Sequence, residues 1–328
     1  MLRAMGASVV AMVLMLVIGP AFIRWLRLNE FGQNIREDGP AGHLTKEGTP
    51  TMGGVLIWFA VVIPFLIFSR FSVASITVMI AALGNAFIGF IDDWIKIVRK
   101  RSLGLAARYK LLFQLVLALF IGFVAIHFVG LDTRVDIPFT AYKLQLGTIG
   151  FYTLIFLTLA GFSNAVNLTD GLDGLASGLL IFALLAFMAI ALLNVPTQSN
   201  LALVCAIAAG TLVGFLWFNV HPASIFMGDA GSLSFGAALA VTALMTGQVL
   251  ILPVIGLVFV VETGSVILQM GYFRLTHGKR IFLFTPIHHH FELLGWPETK
   301  VTGRFWIIGA LSGLLGVTLF LTSIRAIS

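Results

Sequence analysis

Val73-Ala-Ser-Ile-Thr-Val-Met-Ile-Ala-Ala-Leu-Gly-Asn-Ala-Phe-Ile-Gly-Phe-Ile-Asp-Asp-Trp94 carries no charge until its last turn, where two aspartates stand side by side. A run of this length matches the ~20 apolar residues that cross a bilayer as one helix. Ionised carboxylates at the end of such a run are costly unless they hold a cation or a substrate. The same stretch therefore predicts a membrane helix and marks a functional site.

The rest of the chain agrees with it. Of 328 residues, 59% are hydrophobic and 10% charged, and the mean hydropathy is +1.03, values outside the range of water-soluble domains. The alternating pattern of an outer-membrane strand is missing from the apolar runs. The expected fold class is an all-α integral membrane protein, one polytopic domain over residues 1–328. Spans are expected near 5–25, 53–69, 73–94, 109–129, 147–163, 175–194, 200–218, 232–247, 249–272 and 305–324, about ten in all. The first run resembles a secretory signal in its charged start at Arg3, but it lacks a small-residue cleavage site and precedes many more spans, so it is read as retained. The lone Cys205 allows no intrachain disulfide and no thiolate metal cage.

Basic residues orient the chain. Arg24, Arg27, Arg36 and Lys46 follow the first span; Lys96, Arg99, Lys100, Arg101, Arg108 and Lys110 follow the third; Arg274, Lys279, Arg280, Lys300 and Arg304 precede the last. The alternate connections hold only Arg70, Arg134 and Lys143. The positive-inside rule makes the basic connections cytoplasmic and puts both termini outside. Counting spans then brings the tracts at 92–93, 164–173, 219–229 and 274–304 to the cytoplasmic face, an agreement that nothing in the motif search required.

Three tracts hold five of the fourteen acidic residues: Ile91-Asp92-Asp93-Trp94, Asn164-Ala-Val-Asn-Leu-Thr-Asp-Gly-Leu-Asp173 and Phe226-Met-Gly-Asp229. Carboxylate and amide oxygens without cysteine suit a hard cation such as Mg²⁺, which takes one or two protein carboxylates plus substrate phosphate oxygens. Neither a G-x-x-x-x-G-K-[ST] loop nor a G-x-G-x-x-G after a strand is present. A phosphate substrate would be held by metal and Lys or Arg instead. His288-His289-His290 invites a zinc reading, yet consecutive residues point about 100° apart on a helix and make a poor tripod. Hydrogen bonding to phosphate, or proton transfer, fits these imidazoles better.

Each tract also has a plainer reading. Asp92 and Asp93 could form an ion pair with Lys96 at a helix end; the Asp170-Gly-Leu-Asp-Gly string and Asp229 could cap helices; the basic run from Lys96 to Lys110 could set topology and touch lipid headgroups. The histidine segment, with its Pro, Gly and Trp296, could anchor at the membrane surface. Their meeting on one membrane face weighs against all of these together.

Taken in order and spacing, Gly48-Thr-Pro-Thr-Met-Gly-Gly54, Asp92-Asp93, Asn164 to Leu175, Phe226-Met-Gly-Asp-Ala-Gly-Ser232 and Pro286-Ile-His-His-His-Phe-Glu292 resemble the polyprenyl-phosphate N-acetylhexosamine-1-phosphate transferases. The triple histidine with its following Phe-Glu is similar to the branch that moves phospho-MurNAc-pentapeptide from UDP-MurNAc-pentapeptide to undecaprenyl phosphate, giving lipid I and UMP in the bacterial inner membrane. The resemblance implies a Mg²⁺ requirement, with Asp229 as metal ligand. It implies Asp92 as general base or nucleophile with Asp93 beside it, and an essential role for His288, His289 and His290. Lys46, Lys96, Lys110, Asn164, Asn167, Asp170, Asp173, Asn219 and Phe226 are implied to bind substrate, the last two near the uracil. Relatives point to a homodimer embedded in lipid; no nucleic-acid partner is expected.

Two rivals remain. A related UDP-HexNAc transferase would share the motifs. An ion-coupled transporter would place its acids near the midplane within an internal repeat, whereas here they gather at one face and no repeat is evident.

Overall fold

The computed structural model describes residues 1–29, 32, 48–99, 103–140 and 142–327. It is built from helices: α1 (Leu2–Leu28), α2 (Gly53–Phe68), α3 (Val73–Val98), α4 (Ala107–Val124), α5 (Gly147–Thr169), α6 (Leu175–Leu193), α7 (Ser199–Asn219), α8 (Gly228–Met245), α9 (Leu252–Ile255), α10 (Leu257–Leu275), α11 (Ile287–Leu293) and α12 (Glu298–Ile327). Among the described residues, eight helices are long and apolar enough to cross a membrane: α1, α3, α4 with its continuation to Val129, α5, α6, α7, α8 and α12. The runs expected at 53–69 and 249–272 are helical but differ from the others. The first is α2, apolar and only 16 residues long. The second is interrupted at Gly256 between α9 and α10.

The helical architecture carries one short hairpin that the sequence reading did not include. Within 130–146, β1 (Arg134–Asp136) and β2 (Lys143–Gln145) pair antiparallel, with Val135 opposite Leu144. Three residues per strand leave too short a period-2 pattern to stand out from loop.

Large apolar side chains cover the outside, as a lipid-facing surface requires: Ile149, Leu157, Trp217 and Ile307 are all exposed. The interior is different. Helix α8 reads Gly-Asp-Ala-Gly-Ser-Leu-Ser-Phe-Gly-Ala-Ala and is buried along almost its whole length. Small residues let backbones approach where lipid offers no hydrophobic drive for helix association. A Cβ on Gly89 of α3 would stand 2.2 Å from the Asp229 carbonyl oxygen, and one on Gly54 of α2 would stand 2.3 Å from the Gly231 nitrogen. Such contacts seat α8 between α2 and α3.

A polar network fixes the register of these helices. Gln114 of α4 donates to Asn85 of α3 at 3.1 Å and to Ser163 of α5 at 3.0 Å, and the Ser163 hydroxyl donates to the Leu233 carbonyl of α8 at 2.8 Å. Interhelical hydrogen bonds in membranes average only about 0.6 kcal/mol. Four helices sharing one network gain alignment more than stability.

Candidate active site

The acidic tracts converge where four helix ends meet. The last turns of α3 supply Asp92, Asp93 and Lys96, the first turn of α4 supplies Lys110, the last turn of α5 supplies Asn167, and the first turn of α8 supplies Asp229. Carboxylate oxygens of Asp92, Asp93 and Asp229 lie within 4.8 Å of one another. Asp92 and Asp93 are buried, and Asp229 is largely so.

Two ammonium groups hold this charge together. Lys96 Nζ stands 2.6 Å from Asp92 Oδ2, 3.1 Å from Asp229 Oδ1 and 3.7 Å from Asp93 Oδ1. Lys110 Nζ stands 2.9 Å from Asp92 Oδ1 and 2.8 Å from Asp229 Oδ2. The spacing on α3 accounts for the first set, because residues three and four apart share a helix face. With all three carboxylates ionised, two ammoniums leave one negative charge in low dielectric, a setting that attracts a further cation.

The adjacent aspartates do different things. Asp93 faces the start of α8 and accepts from the Asp229 N–H at 3.2 Å and the Ala230 N–H at 3.1 Å. It caps the helix that carries Asp229, satisfying amides that have no partner inside that helix. Asp92 instead accepts from the Leu105 N–H at 2.6 Å in addition to its lysines. Asn167 donates to Asp229 Oδ1 at 3.0 Å and to Ser232 Oγ at 2.9 Å, which orients the third carboxylate.

Asn164, one turn earlier, points elsewhere. It donates to Gln114 Oε1 at 3.2 Å and so joins the network between helices. Asp170 closes α5 and is half-buried. Asp173 is buried; its Oδ2 accepts from the Ala223 N–H and lies 3.0 Å from His221 Nδ1. Glu298 reaches back from α12 to accept the Asp173 N–H at 2.6 Å. Asn219, buried at the end of α7, accepts from Ser177 and donates to the Ile225 carbonyl. Phe226 is half-buried, and its strand of backbone is laced to the residues before α2: its N–H donates to Pro50 O, and its carbonyl accepts from the Gly53 N–H. Lys46 lies outside the described residues.

The three histidines sit on α11 with different partners; the His288 and His289 rings touch at a centroid distance of 4.0 Å. His288 is fully buried with Nδ1 3.0 Å from Glu262 Oε2, His289 Nδ1 lies 2.7 Å from Glu292 Oε2, and His290 Nδ1 accepts from the Leu283 N–H at 3.2 Å. Among the described residues they form no group with metal-ligand spacing. A second such group does exist, Asp173, His221 and Glu298.

Sequence reasoning passed over Glu262, His221 and Glu298. Glu262 had a readable signal, since it is a lone acid inside an apolar run. Its partner 26 residues away did not.

Comparison with known proteins follows the same geography. The model of glycosyl transferase family 4 matches residues 73–247, which include Asp92, Asp93, Lys96, Lys110, Asn167 and Asp229. Phospho-N-acetylmuramoyl-pentapeptide-transferase signature 1 matches residues 46–57. A phospho-N-acetylmuramoyl-pentapeptide-transferase of Heliobacterium modesticaldum is 48% identical over 97% of this chain and 98% of its own. One of Desulfitobacterium hafniense is 46% identical over the same shares, and one of a Geobacillus species is 44% identical over 95% and 96%.

Proposed function

Because the chain belongs to glycosyl transferase family 4 and, within it, to the phospho-N-acetylmuramoyl-pentapeptide-transferases, we propose that the four-helix acidic centre is where its chemistry occurs. The protein is a membrane enzyme of peptidoglycan synthesis that moves phospho-MurNAc-pentapeptide from UDP-MurNAc-pentapeptide to undecaprenyl phosphate, giving lipid I and UMP. One observation carries the placement: three carboxylates within 4.8 Å, faced by two lysines, at the ends of apolar helices.

The reaction brings a lipid phosphate against a sugar-linked diphosphate, so it needs charge neutralisation and in-line positioning more than a strong base. The carboxylate and amide oxygens present fit a hard divalent cation. Asp229, with Asp92 and Asp93 beside it, would hold Mg²⁺, which when bound supplies Lewis-acid neutralisation of the diphosphate and the departing UMP. Asn167 orients Asp229, and Asp93 anchors the helix start beneath it. Lys96 and Lys110 supply further positive charge to phosphate oxygens.

A phosphomonoester with a second pKa of about 6 is largely dianionic at neutral pH, so Asp92 has little proton to remove. Its oxygens are engaged by Lys96, Lys110 and the Leu105 N–H, which dulls it as a covalent nucleophile. The reading is therefore a single displacement in a ternary complex. Exchange of labelled UMP into UDP-MurNAc-pentapeptide by fully delipidated enzyme, abolished in Asp92→Asn, would overturn it.

The wider reading keeps residues 1–328 as one transferase domain with ten spans, α2 and α10 included, both termini outside and the centre facing the cytoplasm of the inner membrane. The positive residues at the site end of α3 and α4 support that orientation. A cysteine introduced at exposed Thr140 of the β1–β2 hairpin should react with an impermeant reagent from outside, since native Cys205 is buried. Homodimerisation rests on resemblance alone, and mass measurement in nanodiscs tests it. For the activity itself, radiolabel passing from UDP-MurNAc-pentapeptide into extractable lipid is the expected result. Ion flux without lipid product would favour a transporter.

A further inference from the structure

Asp92 is 1% exposed, and part of what covers it is bare backbone. Just before α4, the backbone of Gly104 and Leu105 lies across the carboxylate, and the Leu105 N–H donates to Oδ1 at 2.6 Å. A Cβ built on Gly104 would fall within 2.5 Å of Cγ and of both carboxylate oxygens. This strap therefore rests flat on Asp92 only because residue 104 has no side chain. The same two oxygens are the seats of the lysines: Oδ2 takes Lys96 at 2.6 Å, and Oδ1 takes Lys110 at 2.9 Å. Lys110 itself stands on the first turn of the helix that the strap leads into.

A side chain at 104 would leave two outcomes. Either the strap lifts, which removes the Leu105 donor and admits water to the carboxylate, or the carboxylate turns. A planar carboxylate that turns cannot keep one oxygen on Lys96 and the other on Lys110. Neither adjustment is cheap, because Asp92 is a short side chain with both oxygens engaged. A glycine kept for its conformational freedom would show it in the backbone, yet Gly104 is not among the glycines of positive φ. Close approach to Asp92 is what the position requires.

We propose that Gly104 is a positioning residue for the transfer reaction: its bare backbone seats the Leu105 N–H on Asp92 and locks the carboxylate in the orientation that holds Lys96 and Lys110 beside opposite oxygens of Asp229. The proposal rests on the functional reading above. Gly104 acts through Asp92, which stays fixed while the two lysines pivot on it. Positive charge seated before the substrate arrives costs no reorganisation when charge develops on the leaving phosphate.

The test uses the full-length protein in nanodiscs. In hydrogen–deuterium exchange, the wild-type Leu105 amide should exchange at least about tenfold slower than a free amide, and Asp92→Ala should release it. Free exchange in the wild type overturns the proposal. Thermal unfolding of a double-mutant cycle then isolates the contact. Gly104→Ala should lower Tm by a few degrees, and by much less in an Asp92→Ala background, where the added methyl group has room. Equal losses in the two backgrounds overturn the contact. Both arms are independent of catalysis. In the transfer assay, folded Gly104→Ala should lose about 10- to 100-fold in kcat, with the KM for UDP-MurNAc-pentapeptide little changed, whereas Leu103→Ala at the exposed neighbouring position should keep wild-type turnover. A Gly104→Ala kcat within about threefold of wild type, or an equal loss in Leu103→Ala, overturns the positioning role. Absence of lipid product from the wild type would instead remove the functional reading and leave the exchange and unfolding results standing.

Discussion

The cluster of Asp92, Asp93 and Asp229 and the cluster of Asp173, His221 and Glu298 each gather three ligand-type side chains within 4.8 Å, near the same end of the helix bundle. They differ in what answers their charge. In the first, long lysine side chains reach in from α3 and α4, and these can reorganise when an anion or a cation arrives. In the second, fixed backbone amides take part beside the His221 imidazole: Ala223 N–H serves Asp173, Asp173 N–H serves Glu298, and His221 Nδ1 lies 3.0 Å from Asp173 and 3.4 Å from Glu298. The contrast teaches that ligand spacing alone does not define a reaction centre. Charge answered by two movable ammoniums suits chemistry, whereas the backbone amides of the second cluster tie the α5–α6 turn to the end of α7 and the start of α12.

The sharpest way to break this contrast is Asp229→Asn, which keeps shape and removes charge. Turnover should fall by at least about three orders of magnitude, in keeping with the loss of transition-state charge stabilisation, with membrane insertion intact. Asp132→Asn, at an exposed position paired with Arg134, should leave turnover unchanged in the same assay. Ordinary activity of Asp229→Asn would dissolve the first cluster's claim.

Next in size, Asp93 separates cap from chemistry. Asp93→Ala should lower stability by about 1 kcal/mol, the usual worth of a helix cap, and cut turnover strongly by loosening Asp229. Asp93→Asn retains an acceptor and should keep most of the stability. Calorimetry alongside the transfer assay reads both, and equal loss of stability in the two variants would contradict the capping role.

Phe226→Ala should raise the KM for UDP-MurNAc-pentapeptide by roughly one to two decades, if stacking on a base is worth its usual ~1–3 kcal/mol. An unchanged KM with lower thermal stability would make it a packing residue. Smallest in catalytic effect, Glu298→Ala should cost about 1–3 kcal/mol of stability by leaving the Asp173 amide unpaired, with kcat within about threefold of wild type. A larger kcat loss in a folded protein would make the second cluster part of the reaction.

Much of this architecture could be read from residues. The apolar runs locate the helices, and oxygen-rich tracts at their ends locate the centre. What escaped reading has physical causes. Ending the span just past the aspartates, where charged residues gather, cut α3 at 94, although Asp92, Asp93 and Lys96 pair along the helix and carry it to Val98. The same habit cut α5 at 163, where Asn164 is satisfied inside the bundle. Gly256 breaks the 249–272 run, a break that hydropathy alone does not register. That His288, His289 and His290 fail to form one tripod follows from helix geometry, but their partners depend on what lies alongside. Glu262 and Glu298 acquire meaning only through tertiary contact.

The close approaches of α8 to α2 and α3 bear on drug resistance. Behind Asp229 the helices meet backbone to backbone at buried Gly54 and Gly89, where even a methyl group would collide with α8. An inhibitor held by Asp229 thus contacts a group whose backbone is pinned by a seam that point mutation cannot reshape without parting the helices. Escape variants in selected cultures should therefore appear at side chains such as Phe226 or Glu292, and sequencing of resistant colonies would find the two glycines unchanged.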